Sequence, residues 1–346
     1  MKHYKYKVAT QCMTYNHKPY IEDTLNGFVI QQTSFPVVYI VVDDASNDGE
    51  SDLLRNWANN NLVFDDEHQS YKKKMHYGEL IYAKYKNNPN AIFAIFLLAE
   101  NHYQTGKESL KLEYIAEWTE QSEYYAICEG DDYWTDPLKL SKQVDVMEHN
   151  PDAAMVHTRF CFLYENFKRI ENDDFVCQRN KQIITEKGDS IAFDILEDNH
   201  YRIQTMTVLY RKSNYMKINQ YLCEEKGLFM MGDTQLWLNL LSTGKIVYLP
   251  ESTAVYRINV NSASKSEDKI RHYRFELSCE EMRFYYAKKY NIKPSHFFWR
   301  YLKVFVKYKL YHPDYTTNPK ILSNDRYATL VNLVKMPFCV YSYLKK

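Results

Sequence analysis

Two pairs of adjacent aspartates, Asp43–Asp44 and Asp131–Asp132, are the residues with the clearest capacity for chemistry. Each pair follows a short run, Val37–Val42 or Tyr124–Cys128, whose apolar residues predict a buried strand. Open α/β sheets bind their ligands at such strand ends. Because adjacent like charges are unfavourable without a compensating cation or hydrogen-bond donors, the pairs indicate a site for a charged ligand. For either pair taken alone, a solvated acidic turn is the alternative.

The segments around the first pair alternate between strand and helix patterns. Val8–Met13 has strand character, and the apolar positions of Pro19–Gln31 fit one face of a helix that leads to the strand Val37–Val42. This order argues for a βαβ unit with parallel strands. Residues 59–90 are polar and predict a helix and a loop excursion. Further strands are predicted at 92–98, 153–162 and 203–210, and further helices at 109–120, after Pro137 and at 295–311.

Composition limits the possible classes of function. With 346 residues, 45% of them hydrophobic, the chain can form one large α/β domain plus an appendage. Lys plus Arg and Asp plus Glu both number 44, so charge gives no argument for a nucleic-acid partner. The seven cysteines are scattered, which indicates neither a zinc site nor disulfides and fits a reducing compartment. The longest apolar run, Ala91–Ala99, is too short to span a membrane, so we expect a cytoplasmic protein without a signal segment.

The acidic pairs belong to longer stretches with a familiar pattern. These stretches are Val8–Gly49, which contains Thr14-Tyr15-Asn16 and Asp43-Asp44-Ala45-Ser46-Asn47-Asp48-Gly49; Glu129–Leu140, with Gln143 shortly after; Met231–Leu238; and Val255–Arg257. In this order they resemble glycosyltransferase family 2, and the resemblance covers the chain from about Val8 to about Asn259. The family implies a GT-A-like, Rossmann-like α/β fold with a mixed, mostly parallel sheet flanked by helices. We therefore predict a catalytic domain in residues 1–262 and a helical C-terminal extension in 263–346, which begins in a polar linker at 262–268.

The resemblance also assigns roles to individual residues. The donor, a nucleotide sugar, would be bound by Thr14, Tyr15, Asp43, Asp44, Lys111, Asp131 and Arg257. Asp132 would bind a Mn²⁺ or Mg²⁺ ion together with Asp131, which would lie nearer the ribose. Asp233 would be the general base for the acceptor hydroxyl, and Arg257 would lie near the diphosphate. Family members often have a histidine two residues after that arginine. This chain has Asn259 instead, which argues against a histidine metal ligand there.

Simpler roles compete with these assignments. Asp233 precedes an apolar helical pattern and suits a helix N-cap, and Arg257 could form an exposed salt bridge. A receiver domain also has paired aspartates after an apolar run, but its pair follows the first strand, whereas Asp43–Asp44 follows the second. Two other functions stay open: a non-catalytic nucleotide-sugar or glycan-binding protein, and a sugar-phosphate nucleotidyltransferase. For the latter we see no glycine-rich, arginine-containing phosphate loop near the N-terminus.

The function that the sequence predicts is an inverting, metal-dependent glycosyltransferase. One candidate base and no evident second nucleophile favour direct displacement at the sugar. The resemblance favours uridine diphosphate as the nucleotide and a glycan or lipid-linked acceptor, as in surface polysaccharide synthesis.

The helix predicted at 295–311 has two different faces. The side chains of its apolar face are Phe298, Tyr301, Leu302 and Phe305, and those of its basic face are Arg300, Lys303 and Lys307. Docking on the protein's own domain is the favoured role for such a helix. The alternative is peripheral contact with an anionic membrane on the inner face of the plasma membrane, to which Phe338, Lys345 and Lys346 would contribute.

Overall fold

The computed structural model describes residues 4–65, 70–164, 169–172, 189–197, 203–258, 269–322 and 327–332. Asn259, the linker predicted at 262–268, and Phe338, Lys345 and Lys346 lie outside these ranges. The chain divides into two compact units. The first consists of Met1–Thr185, Ile203–Met216 and Gly244–Ile258, and the second of Glu186–Arg202, Lys217–Thr243 and Asn259–Lys346. This division differs from the boundary predicted at 262, because two segments from the middle of the chain join the C-terminal helices.

The first unit contains a single mixed sheet. Its central strands are β1 (Tyr6–Thr14), β2 (Val37–Asp43), β6 (Asn88–Leu98) and β7 (Ser122–Ile127). They pair in parallel, β6 with β2, β2 with β1, and β1 with β7. The remaining strands are β3 (Leu62–Val63), β4 (Tyr71–Met75), β5 (Gly78–Tyr85), β8 (Tyr133–Trp134), β9 (Ala153–Tyr164), β10 (Arg169–Asn172), β11 (Val208–Arg211) and β12 (Lys245–Ile258). The described strands follow the order β3-β5-β6-β2-β1-β7-β11-β9-β12-β8, with β4 beside β5 and β10 beside β9.

Helices flank the sheet because its central strands are apolar on both faces. Every residue of β2 is buried, the pattern expected of a parallel strand covered on both sides. The helices of this unit are α1 (Ile21–Val29), α2 (Glu50–Asn61), α3 (Glu108–Thr119) and α4 (Lys139–His149). From α1, Phe28 stacks on Tyr39 of β2 with ring centroids 4.9 Å apart, and Tyr39 lies 5.0 Å from Phe93 of β6. The predicted α/β class, a mixed sheet flanked by helices, is confirmed.

The prediction of a helix and a loop for residues 59–90 was wrong beyond the end of α2. This stretch instead forms β3 and an antiparallel hairpin of β4 and β5. Lys72, Lys73 and Lys74, which made it resemble a loop, lie exposed on the edge strand β4, where lysines oppose edge-to-edge pairing. Gly78 ends the turn with φ 144°, and a Cβ there would come within 2.0 Å of the Leu97 carbonyl oxygen. The strand predicted at 203–210 also differs, since residues 205–207 form a 3₁₀ turn before β11.

The second unit is helical in its described residues. Its helices are α5 (Asp189–Glu197), α6 (Lys212–Glu224, which the division crosses at residue 216), α7 (Asp233–Leu241), α8 (Lys269–Lys289) and α9 (Pro294–Lys309). Helix α9 is the two-faced helix predicted at 295–311. Its aromatic face is buried against α8, where Phe284 stacks on Tyr301 at 5.6 Å and lies 5.4 Å from Phe298. That apolar face therefore packs on the protein itself, as expected if the helix docks on its own chain.

The basic face of α9 is divided between ion pairs and solvent. Arg300 pairs with Glu197 of α5 at 2.7 Å and with Glu280 of α8 at 2.9 Å. Lys303 and Lys307 are exposed, and Lys307 also lies 3.6 Å from Glu276 of α8. Arg300 thus serves to join helices of this unit. Among the described helices, we find none whose length and apolar content would allow it to cross a membrane.

Candidate active site

The ends of β1, β2 and β7 bring the two aspartate pairs to one edge of the sheet. Thr14 is in register with Asp43, and the Asp44 N–H donates to the Thr14 carbonyl oxygen at 3.0 Å. On the other side of β1, the Gly130 N–H donates to the Met13 carbonyl oxygen at 3.1 Å. A Cβ on Gly130 would lie 2.2 Å from Thr14 Oγ1, so glycine permits this close approach.

The protein itself compensates the charge of the first pair. Asp43 is fully buried; its Oδ1 accepts the Ser46 N–H at 3.0 Å, and the Ser51 hydroxyl donates to its Oδ2. Asp44 is also buried. Its carboxylate accepts the backbone N–H groups of residues 102 and 103 at 2.8 and 3.1 Å and the ammonium group of Lys111 at 2.9 Å. Asp44 and Lys111, both assigned to the donor pocket, therefore form a buried ion pair with each other.

The second pair has the opposite environment. Asp132 is 2% exposed, and its Oδ1 accepts the Arg257 N–H at 2.8 Å. Burial, together with the neighbouring carboxylates of Asp131 and Glu129, raises the pKa of Asp132 well above its ordinary value. Asp131 is more open, with a quarter of its side chain exposed. The idea of a solvated acidic turn is therefore wrong for Asp132, which is a buried carboxylate in an acidic cluster.

Arg257 is a buried part of this cluster. Its side chain donates from Nε to the Asp131 carbonyl oxygen at 2.9 Å and from Nη2 to Asp23 Oδ2 at 2.7 Å. The guanidinium lies near two rings, 4.6 Å from the centroid of Tyr20 and 5.4 Å from that of Tyr133. The contact with Asp23 is a salt bridge, the alternative role of Arg257, in which the arginine side chain is 6% exposed and that of Asp23 is 53% exposed.

The carboxylates fit a cation that also binds a substrate. Within the described ranges, no group of three or more His, Cys, Asp or Glu side chains is arranged to hold a metal ion. Mg²⁺ and similar ions are commonly bound by one or two carboxylates plus water and substrate phosphate oxygens. Asp132 and Asp131 supply such a partial ligand set. A cation there would also relieve the repulsion that raises the pKa of Asp132.

Asp233, the predicted general base, belongs to the second unit. It is exposed and forms the first residue of α7, whereas Gly232 occupies the N-cap position without a side-chain cap bond. The N-cap alternative is therefore wrong. Its assignment as the base stays a prediction. Tyr15, predicted to contact the nucleotide, is half-buried in the first unit, and its hydroxyl accepts the side-chain amide of Gln104 at 3.5 Å.

Sequence reasoning did not find Glu50 or His17. Glu50 is fully buried at the start of α2, and burial raises the pKa of its carboxyl group. It accepts the Thr14 hydroxyl at 2.5 Å and the His17 N–H at 2.8 Å. The hydroxyl of Thr14, assigned to the donor pocket, therefore points to Glu50. An acidic residue directly after the Asp48-Gly49 turn was the available signal, but it is equally typical of an ordinary first helical turn.

No family model matches the sequence of this chain. An uncharacterized protein of Mycobacterium tuberculosis is 28% identical over 253 residues, which cover 71% of this chain and 57% of that protein. An uncharacterized protein of Mycobacterium bovis gives the same values. The chain thus spans little more than half the length of these relatives.

Solved structures give a clearer result. S. aureus TarS 1–349 in complex with UDP-GlcNAc matches with a TM-score of 0.53 at 14% identity, over 92% of this chain and 76% of that chain. The mannosyltransferase PcManGT from Pyrobaculum calidifontis, in complex with GDP-Man and Mn²⁺, matches with a TM-score of 0.50 at 14% identity, over 98% and 84%. The chain shares the overall fold of these two proteins. At this level of identity the likeness concerns the fold, and the chemistry has to be argued from the residues.

Proposed function

We propose that this protein is a nucleotide-sugar-dependent glycosyltransferase whose donor diphosphate is bound at Asp131–Asp132 through Mn²⁺ or Mg²⁺. The observation that carries the proposal is the contrast between two aspartate pairs at the ends of β2 and β7, the strands on either side of β1. Asp44 is neutralised by Lys111 and backbone donors, whereas Asp132 is buried beside other carboxylates with a raised pKa. Strongly perturbed carboxyl groups at a strand-end site are typical of a functional centre. The fold shared with nucleotide-sugar complexes supports the same proposal.

The residues of the chain divide the remaining tasks. The Arg257 N–H fixes the orientation of the Asp132 carboxylate, and the Arg257 guanidinium, near Tyr20 and Tyr133, supplies positive charge at the edge of the cluster. When bound, the cation would neutralise charge on the departing diphosphate. Tyr15 and the first aspartate pair would form the nucleotide side of the pocket, with Asp131 nearer the ribose.

Asp233 is proposed as the general base that takes the proton of the acceptor hydroxyl. An exposed carboxylate at the first position of a helix can accept a proton from a hydroxyl group brought within hydrogen-bond distance. Attack by that hydroxyl on the donor sugar would displace the diphosphate in one step and invert the anomeric carbon. The acceptor is proposed to be a glycan or lipid-linked hydroxyl, and the donor a uridine diphosphate sugar, as the sequence resemblance favours.

The donor and the stereochemistry can be tested together. The protein is incubated with uridine and guanosine diphosphate sugars in Mn²⁺ or Mg²⁺, and released nucleotide is measured with and without glycan acceptors. We expect metal-dependent release from one nucleotide class and, by NMR, a product with the inverted anomeric configuration. Metal-independent turnover or a retained configuration contradicts the proposal. Binding of nucleotide sugar without turnover across a broad set of acceptors favours the non-catalytic alternative. Formation of nucleoside triphosphate and sugar 1-phosphate when pyrophosphate is added favours a nucleotidyltransferase.

The role of Asp233 is tested by Asp233→Asn, which keeps the size of the side chain and removes its basicity. Turnover should fall by ~100-fold or more, while donor affinity and the melting temperature change little. The matched control is Asp52→Asn, which changes an exposed aspartate in the first turn of another helix, α2. If both variants turn over at the wild-type rate, Asp233 is not the base.

A further inference from the structure

Two loops at the predicted donor edge are joined by a set of polar contacts. The first loop, residues 14–18, follows β1, and the second, residues 44–50, follows β2. The Asn16 N–H donates to Ser46 Oγ at 2.8 Å, the Asn47 N–H to Asn16 Oδ1 at 2.9 Å, and the Lys18 N–H to Asp48 Oδ2 at 3.0 Å. Asn16 and Ala45 have positive φ angles of 57° and 61°, so each loop contains a residue in the left-handed region. Such loops need contacts that hold them in place.

Glu50 lies at the base of this loop pair. Its Oε1 accepts the Thr14 hydroxyl at 2.5 Å, and its Oε2 accepts the His17 N–H at 2.8 Å and the Ser46 hydroxyl at 2.9 Å. One fully buried carboxylate thus binds donors from both loops. Removing it would leave these donors without the acceptor that they share, which is costly for buried groups.

The loop pair in turn places a basic side chain beside the second aspartate pair. His17 Nε2 lies 3.9 Å from Asp131 Oδ2, and His17 Nδ1 lies 3.2 Å from Thr14 Oγ1. A quarter of the His17 side chain is exposed, so a ligand at Asp131 could reach it. A Cβ on Gly130 would come within 3.0 Å of His17 Nδ1, which shows how closely the loop after β7 approaches this ring.

We propose that Glu50 is a positioning residue for the donor site and that it acts by holding His17 against Asp131, where His17 contacts the donor. The inference rests on the proposed function and adds two residues to it. Glu50 itself touches no substrate; it fixes the backbone of residues 14–17 and the hydroxyl of Ser46. The fixed loop holds His17 in the position where its side chain contacts the bound nucleotide sugar.

The kinetic test is a double-mutant cycle on Glu50 and His17. Glu50→Ala and His17→Ala should each raise the donor KM roughly 10-fold, the loss of about one charge-assisted hydrogen bond, with kcat much less changed. The double variant should be no worse than His17→Ala alone, because Glu50 acts through His17. Glu50→Gln should recover most of the loss, since its amide oxygen can still accept the His17 N–H. The control is Glu22→Gln, which changes an exposed glutamate in the first turn of α1.

Hydrogen exchange separates this inference from the proposed function. In the protein without ligand, the His17 amide should exchange at least 10-fold faster in Glu50→Ala than in the wild type, which is expected when its acceptor is lost. If Glu50→Ala does not fold, Glu50→Asp takes its place, because its carboxylate is one methylene shorter and is withdrawn from the His17 N–H. Additive KM effects, or a fall in melting temperature with unchanged donor KM, would overturn the inference. A wild-type protein that uses no nucleotide sugar overturns the proposed function, and normal protection of the His17 amide in the Glu50 variant overturns this inference independently.

Discussion

The two aspartate pairs come from similar stretches of sequence and end up in opposite environments. Asp43–Asp44 and Asp131–Asp132 both follow buried parallel strands that are paired with β1. In the first pair, Asp44 accepts two backbone N–H groups and the ammonium group of Lys111. In the second, Asp132 accepts one backbone N–H, and burial together with the neighbouring carboxylates of Asp131 and Glu129 raises its pKa against the opposing effect of Arg257.

This difference shows what an acidic pair can be used for. A buried carboxylate that is fully supplied with donors is part of the scaffold, because its charge is already balanced. A buried carboxylate beside other carboxylates is costly to the free protein and becomes favourable when a cation binds. The first pair, which would also line the nucleotide side of the proposed pocket, should therefore matter mainly for stability, and the second pair for cation binding. Substitutions in and around the two pairs should therefore change the free energy of unfolding by different amounts.

The largest loss in the free energy of unfolding is expected for Asp44→Asn. The substitution leaves the Lys111 ammonium, which is 11% exposed, without its counter-ion. Breaking a buried ion pair from one side typically costs about 3–5 kcal/mol, which corresponds to a fall in melting temperature of roughly 10 °C in a protein of this size. Thermal and chemical unfolding measure it. If Asp44→Asn lowers the free energy of unfolding no more than an ordinary surface substitution does, the contrast between the two aspartate pairs is removed.

A smaller, pH-dependent effect is expected for Lys139→Met. Lys139 is fully buried at the start of α4, where its Nζ donates to Gln143 Oε1 at 2.6 Å and lies 4.4 Å from the centroid of Trp134. Burial lowers its pKa from 10.5 to about 7, against the opposing effect of Cys128 and Asp136. As pH falls from 10.5 towards 7, the unfolded chain takes up the proton first. The wild type should therefore lose about 1.4 kcal/mol per pH unit relative to the variant.

Chemical unfolding of both proteins at pH 7.5 and 9.5 measures this difference. The stability advantage of Lys139→Met should be larger at pH 7.5. Lys142→Met is the matched control, because Lys142 lies on the same helix, is 36% exposed and pairs with Asp136. If the difference in the free energy of unfolding between Lys139→Met and the wild type is the same at both pH values, burial does not shift the pKa of this lysine as it shifts that of Asp132.

The smallest effect on stability is expected for Asp132→Asn. The amide oxygen can still accept the Arg257 N–H, while the repulsion from the neighbouring carboxylates disappears. We expect the free energy of unfolding to stay within ~1 kcal/mol of the wild type or to rise. The more drastic Asp132→Ala would leave the Arg257 N–H without its acceptor and is a poorer test. A loss as large as that of Asp44→Asn would mean that Asp132 is a scaffold residue as well.

Much of the fold could be predicted from the sequence. Strands β1, β2 and β7 follow from their apolar runs, and α1 follows from Ile21, Leu25 and Phe28, which recur at helical spacing and are buried. The hairpin β4–β5 was not predicted, because its lysines are typical of loops as well as of edge strands. Nor did the sequence reveal that two middle segments join the C-terminal helices. Such an arrangement depends on contacts between residues far apart in the chain.

The position of the candidate site could be predicted from the sequence, but the electrostatic environment of its carboxylates could not. Strand ends located both aspartate pairs, but the environments of Asp132 and Asp44 depend on Arg257 of β12 and Lys111 of α3, which are distant in the sequence. Glu50 was missed for the same reason, since its partners come from two separate loops. The catalytic role of Asp233 stays a prediction that kinetics must test.

Cation-dependent nucleotide binding tests the central claim most directly. Titration calorimetry with uridine and guanosine diphosphate, in Mn²⁺ and in excess chelator, is carried out on the wild type and on Asp132→Asn, with Asp145→Asn as an exposed control on α4. The wild type and the control should bind one nucleotide at least ~10-fold more tightly with Mn²⁺, whereas Asp132→Asn should show the same weak affinity in both conditions. If Asp132→Asn keeps the full Mn²⁺-dependent affinity, the second aspartate pair is not the cation site.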